Sequence, residues 1–422
     1  MEKALGSVAS AKVSTASRVD PLRAPAANTP PVTYSVDNAP ELTGTDLRIL
    51  QSWSSDWASA TPTLSPADKQ RLETEFVARL QTTQLTNHQT DTGKPGKPGS
   101  AELRRGEHAK GLFGALNGRV LVTGDLPPEL VGGAFTPAAS LRAVVRFSHG
   151  PPVHAISDEE PSHPGLSLRL TDDKGHVQDL IFSTGTAGFS LKDGKAALVA
   201  LETQAARRQM KPPGGLGRAA DAWALGTTML PKLANERGWV GAAQESVRFA
   251  KDMKAVTHDA DSLANLVYFG KVPFQLGEKV VRFRLVPVDP RPHVNINGFD
   301  GYRSELTALL ADQPVRFKLQ AQGFQDAERT PMDDARDNWE SSPFVTIAEL
   351  ELPQQVLTEA AVREDLSTVN ALAFTPTNRW SQEPQALKPL GLVNETRQVL
   401  YQASAKFRAS GEAISHQAPR QR

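Results

Sequence analysis

Two stretches of the chain concentrate side chains that could do chemistry. The first is Leu141-Arg-Ala-Val-Val-Arg-Phe-Ser148, a β-branched and aromatic run that predicts a strand. Alternation along a strand puts Arg142, Val144, Arg146 and Ser148 on one face and Leu141, Ala143, Val145 and Phe147 on the other. Two guanidinium groups on one face need anions, and a pair of carboxylates would satisfy them through charge-assisted, often bidentate hydrogen bonds. A solvated edge with Asp or Glu partners is the plainer reading of the same pattern. The second stretch carries His149, His154, Asp158, Glu159, Glu160 and His163 and continues to His176. Imidazoles and carboxylates in such number could bind zinc or iron. Their spacing fits neither HExxH nor one face of a helix, and the surrounding prolines mark a loop, so solvated side chains are expected.

Other reaction classes find less support. No G-x-S-x-G elbow is present for a serine hydrolase, and Lys211-Pro-Pro-Gly-Gly-Leu-Gly217 lacks the Lys-Ser/Thr of a phosphate-binding loop. The 422 residues carry 47 Lys plus Arg against 47 Asp plus Glu, so no net field draws the chain to nucleic acid or to an anionic membrane. With no cysteine, thiolate nucleophiles, cysteine-zinc sites and cysteine-held haem or iron–sulfur clusters are excluded. Tyrosine, histidine, methionine and carboxylates remain as metal ligands. There is no apolar run of the roughly 18 residues a spanning helix needs. The first twenty residues lack the apolar stretch of a secretory signal, and the cytoplasm is the expected location.

The elements that must position these residues follow from periodicity and punctuation. Residues 1–40, rich in Ala, Ser, Thr and Pro, are expected to be disordered. A helical extension with a linker is expected over 41–100: helices at 41–58 and 64–83, the second started by Ser65 and Pro66, then Gly/Pro/Lys-rich 90–100. Strands are predicted at 118–124, 141–148, 166–171, 177–183, 279–287, 314–320 and 344–352. A helical insertion is expected at about 190–265, a helix at Tyr302-Arg-Ser-Glu-Leu-Thr-Ala-Leu-Leu-Ala-Asp312, and a terminal helix at 392–410 with Val393, Leu400, Ala403 and Phe407 on one face. Residues 411–422 read as a tail. The sum is an α+β chain with enough strands to close a barrel.

Arg105-Gly-Glu-His-Ala-Lys-Gly111, Val145-Arg-Phe-Ser148, Asp158 and Pro164-Gly-Leu-Ser-Leu-Arg-Leu170 occur in that order, followed by matching segments at 268–287, 333–355 and 387–408. In this the chain resembles the catalase family, and most of all its shorter catalase-like, haem-binding members. The resemblance covers roughly 101–410, with the insertion poorly matched. It implies a catalase-like antiparallel β-barrel with flanking and C-terminal helices. It further implies haem as cofactor, a small peroxide or organic hydroperoxide as substrate, and His108 as the distal acid–base. Ser148 would orient His108, while Arg105 and Arg146 would grip the haem propionates.

Two positions depart from the family's pattern. Ser183 stands where the resemblance places the distal asparagine, and a hydroxyl is shorter and aimed differently from an amide. Phe374 stands where it places the proximal tyrosine, and a phenyl ring has no oxygen for iron. Asn370 falls at the arginine four residues earlier, and Tyr401, on the terminal helix, reads as a packing residue. The expectation is therefore a haem-binding protein with an altered proximal site, favouring peroxidase-type or organic-hydroperoxide chemistry over rapid dismutation. The alternative is a non-enzymatic, degenerate catalase scaffold or effector module.

Overall fold

A computed structural model describes residues 40–92, 105–151, 156–209, 225–256, 260–378 and 387–409. The expected disordered start, most of the linker, the Pro/Gly loop after 210 and the tail lie outside them. Its centre is one antiparallel sheet of ten strands: β1 (Gly111–Val122), β2 (Ser140–Ser148), β3 (Gly165–Thr171), β4 (Val177–Ser183), β5 (Tyr268–Phe269), β6 (Phe274–Leu276), β7 (Lys279–Pro287), β8 (Val315–Gly323), β9 (Phe344–Leu352) and β10 (Lys388–Pro389). Pairing runs β10-β6-β7-β5-β4-β3-β2-β1-β9-β8, and β7 also pairs with β8. That last pairing closes eight strands into a barrel and leaves β6 and β10 beside it. Closure satisfies the backbone groups that an open edge would leave unpaired.

Alternation decides which side chains fill the barrel. Leu141, Ala143, Val145 and Phe147 of β2 join Leu166, Leu168 and Leu170 of β3 and Leu180 and Phe182 of β4 in one core. The opposite face of the same strands carries Arg146, Ser148, Asp179 and Ser183, and it is covered by helices.

Among the described residues, eight α-helices surround the barrel. Helix α1 (Gly44–Gln51) starts at Thr43 in a reciprocal capping box with Asp46, an arrangement that contributes about 1 kcal/mol. It ends sooner than the 58 expected, and the chain then inserts Trp53 into the barrel core. Helix α2 (Pro66–Arg71) starts at Ser65 as predicted and passes through a π-helical turn at Leu72–Phe76 into α3 (Val77–Thr92). Residues 90–92, assigned to the linker by their neighbours, are helical. The insertion forms α4 (Gly194–Gln209) and α5 (Leu230–Val256), the latter broken at Gly238 with φ 72°. Helices α6 (Gly301–Asp312), α7 (Glu359–Ala371) and α8 (Gly391–Ala409) complete the set. Among the described residues no helix is long and apolar enough to cross a membrane.

Helix α7, which the sequence reading did not single out, lies on the outer face of β1 and β2. A Cβ at Gly114 would come within 2.7 Å of Val369 and 2.9 Å of the Asp365 carbonyl, so only glycine lets helix and strand approach this closely. Leu366, Val369, Phe374 and Val144 form a small apolar cluster there. Leu72, Phe76 and Leu80 pack on Leu198 of α4 and on Val399 and Leu400 of α8. The N-terminal helices therefore form part of the wall around whatever lies between α4, α8 and the barrel.

Candidate functional site

Between the outer face of β2–β4 and this helical wall lies a cavity of about 240 Å³. All six residues expected to form a site line it: Arg105, His108, Arg146, Ser148, Ser183 and Phe374. So do Glu107, His163, Lys271, Arg397 and Tyr401, none of which the sequence reading assigned to the site.

His108 is placed by the turn that leads into β1. Its φ of 52° is left-handed, a conformation that costs a side-chain-bearing residue about 1–3 kcal/mol, and its amide is tied to the Gly150 carbonyl at 3.1 Å. A Cβ at Gly165 would come within 2.7 Å of Nδ1 and Cε1, so the glycine makes room for the imidazole. Ser148 Oγ lies 3.3 Å from His108 Nδ1 and 3.4 Å from the Gly165 carbonyl. The hydroxyl has one proton to place. Donated to Gly165, it lets the oxygen accept from Nδ1–H and leaves Nε2 as a base; donated to Nδ1, it leaves Nε2 carrying the proton. Burial, followed by the positive field of His163 and Arg146, holds the His108 imidazole well below its ordinary range, so it is neutral near pH 7. The two rings, His108 and His163, stand edge to face with centroids 5.8 Å apart.

Glu107 and Lys271 supply the next layer of charge. Glu107 projects into the cavity, where it has open space beside it and protein around it. This desolvation pushes its carboxyl up to about 7, against the pull of Lys271 and Arg397. Lys271, itself buried, donates to the Thr184 carbonyl at 3.0 Å, and desolvation brings its ammonium down to about 8. On α8, Arg397 and Tyr401 are four residues apart and so share a helical face. The Arg397 guanidinium lies 5.2 Å from the Tyr401 ring centroid, and its Nη2 is 3.4 Å from the phenol oxygen, long for a hydrogen bond.

The two arginines expected on propionates come together at the end of α7. Arg146 donates from Nε to Asn370 Oδ1 at 2.7 Å and from Nη2 to the His108 carbonyl at 3.0 Å. Arg105 donates to the Asn370 and Leu372 carbonyls at 3.0 and 2.6 Å. A cation on the last carbonyls of a helix is favourable in its own right. Phe374 packs with Val144 and Leu366, and Arg169 lies over its ring at 5.2 Å.

The histidine- and acid-rich loop disperses. His149 meets Ser162 at 2.8 Å, Asp158 accepts from Lys110 at 2.7 Å and from the Tyr302 amide at 3.1 Å, and His176 meets Asp172 at 2.8 Å. His154 lies outside the described residues. Among those described, no three His, Asp or Glu side chains converge as a metal site would require.

No protein-family model and no curated protein sequence matches the chain. Solved structures do. A fungal catalase is similar with a TM-score of 0.55 at 17% identity, over 75% of this chain and 61% of that one. A bacterial catalase scores 0.54 at 18% identity over 78% and 66%, and catalase A from Saccharomyces cerevisiae 0.54 at 15% over 74% and 63%. The fold is catalase-like. This chain spans less than two thirds of the length of each of the three.

Haem, the group that the sequence resemblance implies, makes three demands on the walls of this cavity. The donor chemistry fits: Tyr401 offers the phenol oxygen through which a tyrosine can hold haem iron, with a cation beside it. The apolar requirement fits too, with Leu80, Phe189, Leu198, Phe249, Phe374 and Leu400 among the lining. The propionate end fits less well, because Arg105 and Arg146 already hold the α7 terminus.

Proposed function

We propose that this cavity binds haem and that the protein processes hydrogen peroxide or a small organic hydroperoxide. The observation that carries the reading is that His108 with Ser148, and Tyr401 with Arg397, line the same cavity. Bound there, haem supplies the redox-active iron that cleavage of a peroxide bond calls for and that side chains lack. Tyr401 would hold it through the phenol oxygen, with the Arg397 guanidinium beside it. Lys271 and Arg408 are the lining cations that would meet its propionates, since Arg105 and Arg146 serve the end of α7. His108 accepts a proton from the peroxide at Nε2 and returns it, with Ser148 setting its orientation. The Ser183 hydroxyl offers a further hydrogen bond, and the leucines and phenylalanines of the helical wall exclude water. With a phenol at 401, the reason for expecting peroxidase-type chemistry over dismutation weakens, so both belong in the assay.

Expression with added haem, followed by absorption spectroscopy, tests the reading. A stoichiometric Soret band is expected, with Phe374→Ala retaining it and Tyr401→Phe shifting or abolishing it. A wild-type protein that folds and shows no Soret band overturns the proposal. The second reading, a catalase-like scaffold without catalysis, draws on Arg105 and Arg146, whose guanidinium groups serve the end of α7. That scaffold reading predicts no Soret band and a loss of stability on Arg146→Ala.

A further inference from the structure

Consecutive residues on an extended chain point to opposite sides, yet Glu107 and His108 line one cavity. The left-handed backbone at His108 is what brings them together, and it is tied down by hydrogen bonds from the His108 N–H to the Gly150 carbonyl and from the Ala109 N–H to the Pro151 carbonyl. A conformation this costly in a non-glycine residue persists where the surrounding structure enforces it, and such sites concentrate at functional positions. The Glu107 carboxyl forms no ion pair and no hydrogen bond among the described residues. Lys271 and Arg397 attract it without reaching it.

We infer that Glu107 is a second proton-exchanging residue of the cavity, acting on a bound hydroperoxide as the carboxylic-acid partner of the His108 imidazole. The assignment rests on the hydroperoxide reading above. Its proton balance is closed. His108 Nε2 takes the proton from the peroxide O–H while the Glu107 carboxyl gives its proton to the other peroxide oxygen. That leaves an imidazolium beside a carboxylate, and one proton passing back from the first to the second restores both. The pair moves protons only, and the oxygen–oxygen bond is left to the group that Tyr401 would hold. Groups with pKa values driven in opposite directions within one site are the usual basis of such a division of labour. Here burial keeps the base neutral and the acid protonated over the same pH range.

The charges that face Glu107 come from every wall. Arg105 and His108 lie on its own segment, Arg146 on β2, His163 in the loop before β3, and Lys271 in the turn after β5. Arg397, Tyr401 and Arg408 lie on α8. The cations favour the carboxylate and desolvation outweighs them, so the acid is in its active, protonated form below about pH 7 and is lost as pH rises through that value.

Two measurements on the full-length protein test this. In haem-free protein, infrared difference spectra should show a protonated-carboxyl band that disappears as pH rises through about 7 and that Glu107→Gln removes. In haem-loaded protein turning over cumene hydroperoxide, Glu107→Gln should lower the rate on the order of 10²-fold at acidic pH and much less at alkaline pH, abolishing the fall near pH 7. Glu107→Asp should keep part of that fall. A band that survives Glu107→Gln, or the same pH break in wild type and variant, overturns the assignment of Glu107 alone. A wild type that loads haem and leaves cumene hydroperoxide intact overturns the cavity's hydroperoxide reading and this role with it.

Discussion

Two acid–base pairs stand about the same β1 terminus and are treated oppositely, one buried on both sides and one with its carboxyl open to the cavity. Lys110 and Asp158 close on each other at 2.7 Å; the ammonium also donates to the Ile156 carbonyl and the carboxylate accepts the Tyr302 amide. Three residues earlier in sequence, Glu107 and Lys271 sense each other's charge without touching. A buried charge with its hydrogen bonds complete locks a fold, whereas one left open keeps its capacity for a ligand or a proton.

The largest effect should come from breaking the closed pair. Lys110→Met leaves Asp158 buried without its cation and should cost about 3–5 kcal/mol, read from urea unfolding. The double variant Lys110→Met with Asp158→Leu should recover much of that loss; failure to recover any would mean that the pair's neighbours, not its charge, carry the cost. The open pair should behave differently. Its folded-state carboxyl titrates near 7 where an unfolded glutamate titrates near 4.5, so its contribution to stability is full below pH 4.5 and is lost as pH rises to 7. Glu107→Gln should remove that slope from the urea midpoints and leave the protein no less stable at pH 8. Lys271 has the mirror dependence: because its folded ammonium lies near 8 against 10.5, stability should rise with pH between those values, and Lys271→Met should flatten the rise. The smallest change belongs to Ser148→Ala. Losing one hydrogen bond to His108 should slow peroxide turnover up to about tenfold. With Glu107→Gln as the background, the protein with Ser148 and the one with Ser148→Ala alike should lack an inflection at the ordinary histidine pKa of 6.5, since burial has displaced it.

Much of this was written locally in the chain. The two faces of 141–148 follow from alternation alone, and the observed burial of Leu141, Ala143, Val145 and Phe147 in the barrel matches it. Ser65 and Pro66 announce their helix because a cap and a preset φ act within one turn. The strand at 279–287 has the bounds its composition suggests. What was not legible depended on geometry beyond neighbours. Tyr401 reads as a packing residue from its place on the terminal helix, yet it lines the cavity. The useful signal was instead Arg397 and Tyr401 four apart on a predicted helix, which puts both on one face. Nothing in the letters marks Glu107, because a histidine at positive φ has no sequence signature and an extended backbone would turn the two side chains apart. Lys271 meets that pair from more than 160 residues away, through closure of the barrel.

The wall that α2 and α3 build has a bearing on how this protein is made. Leu72, Phe76 and Leu80 rest on Val399 and Leu400, more than 300 residues further along, so this enclosure is among the slowest contacts for a folding chain to find. A nascent polypeptide interrupted before α8, or one clipped between α3 and β1, keeps its barrel residues but has an unsealed chamber. The haem proposed above would then have a natural window for entry, after the strands have joined and before the two distant helices meet.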